Sequence, residues 1–315
     1  MKKLIIIAGI MLCCCGCADT TEIGDRAIIQ LAAVDCEDGE YTLSALLFSA
    51  GGSGGELDVT QSNVIKVTGS GKTLGEAVKE LSLIDGKEIY MSEAKLLVLG
   101  GGFEETDIIS VVTMLNRDMR CSLNMPVCCA ESASLLTDLQ FTEGITAAEK
   151  PVDMIKNAYL SGVSPMTTVL DILSDSAGGR ETLIPSFALA INGSGMTSSD
   201  DGRTASLNGA RLISGGKLTQ TADLGQTAGY MLLSGLADSV VLNITDDSGE
   251  YSCEAYHIDV DWENGVPTIS ADYRSRAGKP LSYAQERACH EQLQAAAMQG
   301  LELFRAGGGE DFTEK

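Results

Sequence analysis

The chain has 315 residues, a length that usually corresponds to about two domains. Hydrophobic residues make up 44% of it, which is enough for packed cores and excludes a chain that is disordered by composition. Its 22 basic and 44 acidic residues give a net charge of -22, and this charge repels nucleic acids and anionic membrane surfaces. The two histidines, His257 and His290, are too few for a zinc site built mainly from histidine.

The N-terminus has the pattern of a secretion signal followed by a lipid attachment site. A short basic stretch precedes an apolar run, residues 4–12, which has the length of a signal-peptide core and is too short to cross a bilayer. Gly16 then precedes Cys17, and a small residue before a cysteine at this point is typical of bacterial lipoproteins. We therefore predict that residues 1–16 are a signal peptide and that a diacylglyceryl group is attached to the sulfur of Cys17.

Other interpretations of this segment stay open. Cys14 stands where lipoprotein signals usually have leucine, and Cys15 or Cys14 is an alternative attachment site. An ordinary cleaved signal peptide and an N-terminal membrane helix are further alternatives. Six cysteines follow Cys17, an even number that permits disulfides in an exported protein but indicates no pairing. Three of them, at positions 121, 128 and 129, are predicted to be small buried hydrophobic residues.

The pattern of apolar residues predicts strands and helices in alternation as far as residue 191. The predicted strands are 27–34 and 41–48, which form a hairpin, then 63–68, 95–99, 120–130 and 183–191. The predicted helices are 74–83, with a capping box formed by Thr73 and Glu76, then 106–115, 132–139, 148–160 and 166–174. Residues 51–55 (GGSGG) are predicted to be a flexible loop.

The second half of the chain is predicted to be richer in strands. A polar linker at 192–205 precedes strand 206–213, helix 222–233, three strands near 239–245, 250–260 and 266–273, and a terminal helix at 283–305. The predicted class is α+β, multi-domain, with mixed or antiparallel sheets and helices packed on one face. We place an N-terminal α+β region at 17–191, which we expect to comprise two subdomains with no boundary assigned, and a C-terminal α+β domain at 206–315.

Two glycine-rich motifs match catalytic or nucleotide-binding patterns. Residues 69–73 (GSGKT) follow a strand and open a helix, as a phosphate-binding loop does, but position 66 holds Lys66 where that motif requires glycine. The alternative is a glycine turn that enters a capped helix. Ser53 lies in a literal G-x-S-x-G match, but strand-like sequence lies on both sides of it, whereas a nucleophile elbow requires a helix after it.

The remaining candidates for chemistry lie near the C-terminus. Asp259 and Asp261 share one face of a predicted strand and could bind calcium or act as acid and base, although a solvated face is the simpler interpretation. His257 is predicted to be at the surface or half-buried in the same strand, and His290 is predicted to be solvated on the terminal helix. None of these groups forms a recognisable active site, so we predict that the protein is not an enzyme and has no cofactor or metal.

Several stretches of the sequence resemble a known family. Residues 17–29 (CADTTEIGDRAII) are similar to the lipid attachment site and first strand of the Ger(x)C spore-germination lipoproteins, although Ala18 stands where the family usually has tryptophan. The other matching stretches are VTGSGKTLGEA at 67–77, IYMSEAK at 89–95, LNGARLI at 207–213, GKL at 216–218 and TAGY at 227–230. The resemblance extends over nearly the full length, in the same order and spacing.

The resemblance implies a non-catalytic C subunit of a nutrient germinant receptor. Such a subunit is a lipoprotein with palmitate-type acyl chains, anchored to the outer face of the spore's inner membrane. It assembles with a polytopic A subunit and a transporter-like B subunit in a complex that responds to nutrients and starts germination. The resemblance gives Cys17 a functional role and assigns no catalytic residue. Because family members continue with further strands after the terminal helix, we expect the C-terminal domain of this chain, which stops at Lys315, to be short.

Two other classes of exported protein are rivals to this interpretation. A solute-binding lipoprotein that feeds a transporter usually has two similar lobes and aromatic residues at its cleft. The strand-rich second half and an aromatic content of 5% argue against that class. An exported hydrolase that uses Ser53 or the Asp259 and Asp261 pair would need a nucleophile and a base within hydrogen-bonding distance.

Overall fold

The computed structural model describes residues 26–48, 64–139, 148–191, 203–246 and 249–306. Within these ranges the chain forms strands in two sheets, together with helices that cover them. The strands are β1 (Arg26–Glu37), β2 (Glu40–Phe48), β3 (Val64–Gly71), β4 (Glu88–Tyr90), β5 (Leu96–Leu99), β6 (Val127–Ala130), β7 (Thr182–Ile191), β8 (Arg203–Ser214), β9 (Lys217–Ala222), β10 (Ser239–Asp246), β11 (Gly249–Glu263) and β12 (Val266–Ser275). The helices are α1 (Leu74–Asp85), α2 (Ile108–Met119), α3 (Ser134–Asp138), α4 (Glu149–Leu160), α5 (Val169–Ala177), α6 (Leu224–Leu233) and α7 (Tyr283–Ala306).

The larger sheet is mixed. Its order is β3-β2-β1-β5-β6-β7-β8-β9, and β4 pairs with the start of β1. The neighbours β1, β5, β6 and β7 are parallel, and β4 is parallel to β1, whereas β2, β3, β8 and β9 pair in antiparallel fashion. Parallel neighbours require crossover connections, which α2 provides between β5 and β6, and which α3, α4 and α5 provide between β6 and β7. The predicted α+β class with mixed sheets is confirmed.

The smaller sheet has the order β10-β11-β12 and is antiparallel. The turn between β11 and β12 places Asn264 and Gly265 at φ of 53° and 73°, the left-handed values that a two-residue hairpin turn favours. The predicted hairpin at this position is confirmed. Both α6 and α7 contact this sheet, and the disulfide between Cys253 and Cys289 joins β11 to α7.

Helices cover both faces of the larger sheet. Leu97 and Leu99 of β5 belong to a core that includes α1, α2 and α5, whereas Leu96 and Val98 belong to a core on the other face that includes α3 and α4. All four side chains are fully buried, as expected for a parallel strand between two helical layers. The prediction that helices lie on one face was therefore wrong for this sheet.

The structure differs from the predicted elements at several places. Helix α2 does not end before residue 116 but continues to Met119, because Arg120 adopts the left-handed conformation that ends it. The predicted strand at 120–130 is confined to β6, since the preceding residues form turns. Strand β9 was not predicted, because its sequence KLTQTA is largely polar and alternates only weakly.

The segment predicted to be a linker at 192–205 lies between two strands that pair with each other. Strands β7 and β8 are antiparallel neighbours, and residues 203–205 already belong to β8. The larger sheet is therefore continuous across this segment, of which residues 192–202 lie outside the described ranges. The division of the chain into domains at 192–205 stays a prediction.

The end of α4, a helix that packs on the larger sheet, contacts the smaller sheet directly. The backbone N–H of Val241 on β10 donates to the carbonyl oxygen of Ser161, at an N···O distance of 2.9 Å. Gly162 follows with φ of 68°, and a Cβ atom there would lie 2.2 Å from the carbonyl oxygen of Ser239. Only glycine therefore permits this approach.

Helices α6 and α7 cross with their backbones in contact. A Cβ atom on Gly229 would lie 1.8 Å from the carbonyl oxygen of Ala296, and one on Gly300 would lie 2.2 Å from the backbone nitrogen of Tyr230. The buried residues Leu293 and Ala297 extend this contact along α7. Among the helices that the structure describes, none is both long and apolar enough to cross a membrane.

Candidate functional site

Two residues to which the sequence assigns a chemical role lie outside the described ranges. They are Cys17, the predicted lipidation site, and Ser53, the serine of the G-x-S-x-G match. The predicted flexible loop at 51–55 also lies there. These predictions stay predictions.

The GSGKT motif is a strand end packed closely against α1. Gly69 and Gly71 belong to β3, and a Cβ atom on Gly69 would lie 2.3 Å from the carbonyl oxygen of Ala77. The capping prediction is half confirmed. Thr73 accepts a hydrogen bond from the N–H of Glu76, but the Glu76 carboxylate accepts from the N–H of Lys72 instead of that of Thr73.

The same contacts argue against phosphate binding at this motif. The carboxylate of Glu80 accepts hydrogen bonds from the backbone N–H and the hydroxyl of Ser70, and that of Glu76 accepts from the N–H of Lys72 at 2.8 Å. A phosphate-binding loop requires such N–H groups to point at the ligand. Here acidic side chains already occupy them, so the glycines are explained by the approach of β3 to α1.

Asp259 and Asp261 lie on the solvent face of β11, as the alternation predicts. Their cross-strand neighbours on β12 are Ser270 and Thr268, which offer hydroxyl groups and no third carboxylate. Across the described ranges, no group of three or more His, Cys, Asp or Glu side chains is placed to hold a metal ion. The geometry therefore corresponds to a solvated strand face.

His257 lies at a β-bulge of β11. Its φ of 49° coincides with the register shift between Tyr256 and Asp259, and its Nδ1 lies 3.0 Å from Oδ2 of the exposed Asp272. His257 lines an open groove of about 720 Å³ together with Ser234. The hydroxyl of Ser234 donates to the carbonyl oxygen of Tyr230 at 2.6 Å instead of to a base.

His290 is not solvated as predicted. It is half-buried on α7, where its Nδ1 lies 3.1 Å from the hydroxyl oxygen of Tyr273 and the two rings meet edge to face. Burial raises the pKa of the Tyr273 hydroxyl to about 12. This pair joins α7 to β12 and has the character of a packing contact.

Sequence reasoning missed a polar cluster at the carboxyl ends of the parallel strands. Asp35, near the end of β1, accepts hydrogen bonds from the N–H of Gly101 at 2.9 Å and from the N–H of Ala133 at 2.8 Å. A Cβ atom on Gly100 would lie 1.8 Å from the same carboxylate, and one on Gly102 would lie 1.5 Å from the carbonyl oxygen of Cys36. The run of three glycines at 100–102 is the sequence signal for this close approach.

A second feature that the sequence did not indicate is a cavity of about 650 Å³ between α5 and α6, which we call the α5–α6 pocket. Its lining combines apolar side chains with a few charged and hydroxyl groups. The lining includes Tyr159, Met166, Asp171, Asp175, Arg180, Glu181, Thr182, Tyr230, Met231 and Leu236.

The charged groups of the α5–α6 pocket interact at its α5 side. Nε and Nη2 of Arg180 donate to Oδ1 of Asp175 at 3.0 and 2.8 Å, and the hydroxyl of Thr182 donates to Oδ2 at 3.1 Å. Tyr230 is buried, and its burial together with the nearby carboxylates of Glu181 and Asp175 raises the pKa of its hydroxyl to about 12. The hydroxyl therefore stays protonated at neutral pH.

Comparison with known proteins identifies the family. The sequence profile described as "Spore germination protein N-terminal domain" matches residues 19–189, which is more than half of the chain. The chain belongs to the Ger(x)C spore-germination family. The matched range begins just after Cys17 and ends within β7, so it includes the parallel pairings of the Ger(x)C protein's larger sheet.

A solved structure, titled "Crystal Structure of the GerBC protein", is similar to this Ger(x)C protein. The match has 16% sequence identity and a TM-score of 0.48, and it covers 90% of this chain and 84% of the other. No curated protein gives a significant match to the Ger(x)C chain. Family membership makes the protein a germinant receptor subunit in general, a class that is in general non-catalytic.

Proposed function

We propose that this Ger(x)C protein is a lipid-anchored, non-catalytic subunit of a spore nutrient germinant receptor. The single observation that carries the proposal is the family match over residues 19–189. Its proposed role is to take part in the response to nutrients that starts germination. The structural contacts of the His257, Asp259 and GSGKT groups described above are consistent with a subunit that binds partners instead of transforming a substrate.

The proposed anchor is the diacylglyceryl group on Cys17. Two acyl chains provide stable membrane attachment, whereas a single chain does not. The net charge of -22 gives no electrostatic attraction to anionic lipid, so the lipid itself must hold the protein. Residues 18–25 join Cys17 to the first residue of β1, and a chain of this length spans at most about 30 Å. The larger sheet would thus lie close to the outer face of the spore's inner membrane.

The proposed partners are the polytopic A subunit and the transporter-like B subunit of the receptor. They follow from the resemblance to the family and from family membership. The acidic surface of the chain disfavours nucleic acid as a partner.

A solute-binding lipoprotein of a transporter is the second candidate. The α5–α6 pocket is the observation in its favour, because its volume of about 650 Å³ falls in the range of small-molecule sites. The pocket alone does not distinguish the two candidates, since a receptor subunit can also bind a ligand.

The proposal is tested by affinity purification of the tagged protein from spore membranes in mild detergent, with partners and the N-terminal peptide identified by mass spectrometry. We expect two polytopic partners and a diacylated peptide that begins at Cys17. The matched control is Cys17→Ala, which should lose the lipid and leave the membrane fraction. Recovery of a transporter permease would favour the second candidate. Recovery of an unlipidated protein without partners would contradict the proposal.

A further inference from the structure

The end of α1 exposes two large apolar side chains. The buried residues of this helix follow helical spacing, at Leu74, Ala77 and Leu81. Continuing that spacing would place Ile84 on the same buried face. Ile84 is nevertheless 60% exposed, and the neighbouring Leu83 is 74% exposed. Single exposed apolar residues are common, but two adjacent ones at a helix end form a surface that favours an apolar partner.

This end of α1 lies beside the beginning of β3. A Cβ atom on Gly71 would lie 2.5 Å from the Cβ atom of Glu76, in the first turn of the helix. A Cβ atom on Gly69 would lie 2.6 Å from the backbone nitrogen of Leu81, one turn before the helix ends. The helix therefore runs back along β3, and its end points towards the start of that strand, where Ile65 is 48% exposed.

The chain from the predicted lipid site enters the larger sheet at the same end. Strand β2 is antiparallel to both β1 and β3, so β3 starts at the end of the sheet where β1 starts. Strand β4 follows α1 after two residues and pairs with β1, with Glu88 opposite Arg26. Ile84 is four residues before Glu88, so the two residues are at most about 14 Å apart. The exposed end of α1 is thus close to Arg26, which residues 18–25 join to Cys17.

Two more exposed apolar side chains lie at this end of the sheet. The N–H of Met91, just after β4, donates to the carbonyl oxygen of Met119 at 3.2 Å, so α2 ends beside β4. Leu123 follows α2 and is 40% exposed. Its carbonyl oxygen accepts a hydrogen bond from the N–H of Leu170 on α5, which is 45% exposed. Exposed apolar residues therefore lie at this end on both α1 and α5.

The residues around the end of α1 carry no net charge. The stretch 79–88 contains two basic and three acidic residues, and Arg26 adds a third basic group beside Glu88, at an N···O distance of 3.9 Å. The whole chain, in contrast, has a net charge of -22. This end of the molecule therefore lacks the repulsion from a membrane surface that the chain as a whole would have, and its balanced charge suits zwitterionic headgroups.

We propose that this end of the larger sheet rests on the membrane, with Leu83 and Ile84 inserted between the lipid headgroups. A bilayer of zwitterionic lipid supplies the apolar partner, because its acyl boundary covers such side chains. The inference rests on the proposed lipid anchor at Cys17, and it adds an orientation to that anchor. The β1–β2 turn, at the other end of β1, points away from the bilayer.

The test measures how closely a tryptophan at position 83 approaches the acyl chains. The mature lipidated protein with Leu83→Trp is bound to phosphatidylcholine vesicles, with or without bromine atoms on the acyl chains, since bromine quenches tryptophan emission on contact. The unaltered protein has one tryptophan, Trp262, whose emission is measured in the same vesicles and subtracted. An interfacial apolar side chain lies about 5–10 Å deep, so we expect bromine to lower the emission of the new tryptophan about twofold or more.

Glu40→Trp is the matched probe at the far end of the strand pair. Glu40 is exposed and pairs with Glu37, which lies about 36 Å along β1 from Arg26. Its tryptophan should emit equally in both kinds of vesicle. In the Leu83→Trp protein, the further change Ile84→Glu should abolish the quenching, because a carboxylate is costly to bury in an apolar boundary, whereas Ile84→Leu should preserve it. Far-ultraviolet circular dichroism confirms that each variant is folded.

Failure of the anchor and failure of this inference give different results. An N-terminal peptide without lipid, in a protein that does not float with the vesicles, overturns both. A lipidated protein that floats with the vesicles, but whose tryptophan at position 83 emits equally with and without bromine, overturns the membrane contact and leaves the anchor in place. Equal quenching at positions 83 and 40, or unchanged quenching after Ile84→Glu, would also overturn the contact.

Discussion

Replacing Gly229 by alanine should strongly destabilise the contact between α6 and α7. The new methyl carbon would lie 1.8 Å from the carbonyl oxygen of Ala296, and 2.8 Å from the backbone nitrogen of Gly300, whereas ordinary contacts begin at 3.4 Å. Backbone atoms cannot rotate away as a side chain can. The two helices must therefore separate by roughly 1.6 Å, a large shift against the usual helix spacing of about 8–10 Å.

This separation would weaken the packing of the smaller sheet's core. Overpacking a core usually lowers the free energy of unfolding by about 1–3 kcal/mol. The clash here is with backbone atoms of α7, so we expect a loss at the upper end of this range or above it. Alanine regains up to about 1 kcal/mol through its higher helix propensity. We expect a net decrease of about 2–3 kcal/mol in the free energy of unfolding, and a melting temperature lower by about 3–5 °C.

The matched control is Gly225→Ala in the same helix. A Cβ atom there would approach Oε1 of Gln299 at 2.7 Å, and this oxygen ends a flexible side chain that can turn aside. We expect its free energy of unfolding to stay the same or to rise by up to about 1 kcal/mol, because alanine has the higher helix propensity. Urea unfolding followed by far-ultraviolet circular dichroism measures both variants. If Gly229→Ala unfolds at the same urea concentration as the unaltered protein, or if both variants lose equal stability, the proposed backbone contact is incorrect.

Three further predictions follow from the described contacts. The double variant Cys253→Ser with Cys289→Ser opens a loop with a sequence separation of 36, and chain entropy predicts a loss of about 3–4 kcal/mol, measured by urea unfolding; equal midpoints for the oxidised and double-serine proteins would contradict it. Asp35→Ala leaves two backbone N–H groups without their acceptor and should lower the free energy of unfolding by about 2–4 kcal/mol. The control Glu93→Ala changes an exposed residue and should have little effect, so a similar shift of the urea midpoint in both variants would refute this prediction. Burial raises the pKa of the Cys121 thiol to about 11, so folding favours its neutral form. This contribution to stability is complete below the unfolded pKa near 9 and is lost as the pH rises towards 11. The urea midpoint should therefore fall less steeply between pH 9 and pH 11 in Cys121→Ala than in the unaltered protein.

Local signals predicted the fold well where one short segment decides the conformation. The β1–β2 hairpin is an example, because Asp38 and Gly39 adopt φ of 52° and 77° and so reverse the chain within two residues. The extent of α2 was not predictable in this way. Residues after Leu115 look like a turn in sequence, but the left-handed conformation of Arg120 sets the end of the helix.

Long-range contacts were the part that the sequence could not provide. The polar segment before Arg203 resembled a domain linker, because nothing local reveals that β7 and β8 pair. The Asp35 carboxylate is 66 residues from Gly101 and 98 residues from Ala133, so no sequence pattern joins them. The α5–α6 pocket could not be predicted for the same reason. Its charged lining residues precede α6 in the chain, whereas Leu236 follows that helix.

The contact of Gly162 with β10 also bears on aggregation. Strand β10 is the outer strand of its sheet, and an open strand edge is a template for pairing with another molecule. On that edge the N–H of Val241 donates a hydrogen bond to the carbonyl oxygen of Ser161. This bond forms because Gly162 has no side chain and lets the backbone come close to Ser239. A side chain at position 162 would lift this loop away and expose the edge. Self-association of the protein, rather than a failure to fold, is the damage that such a change would bring.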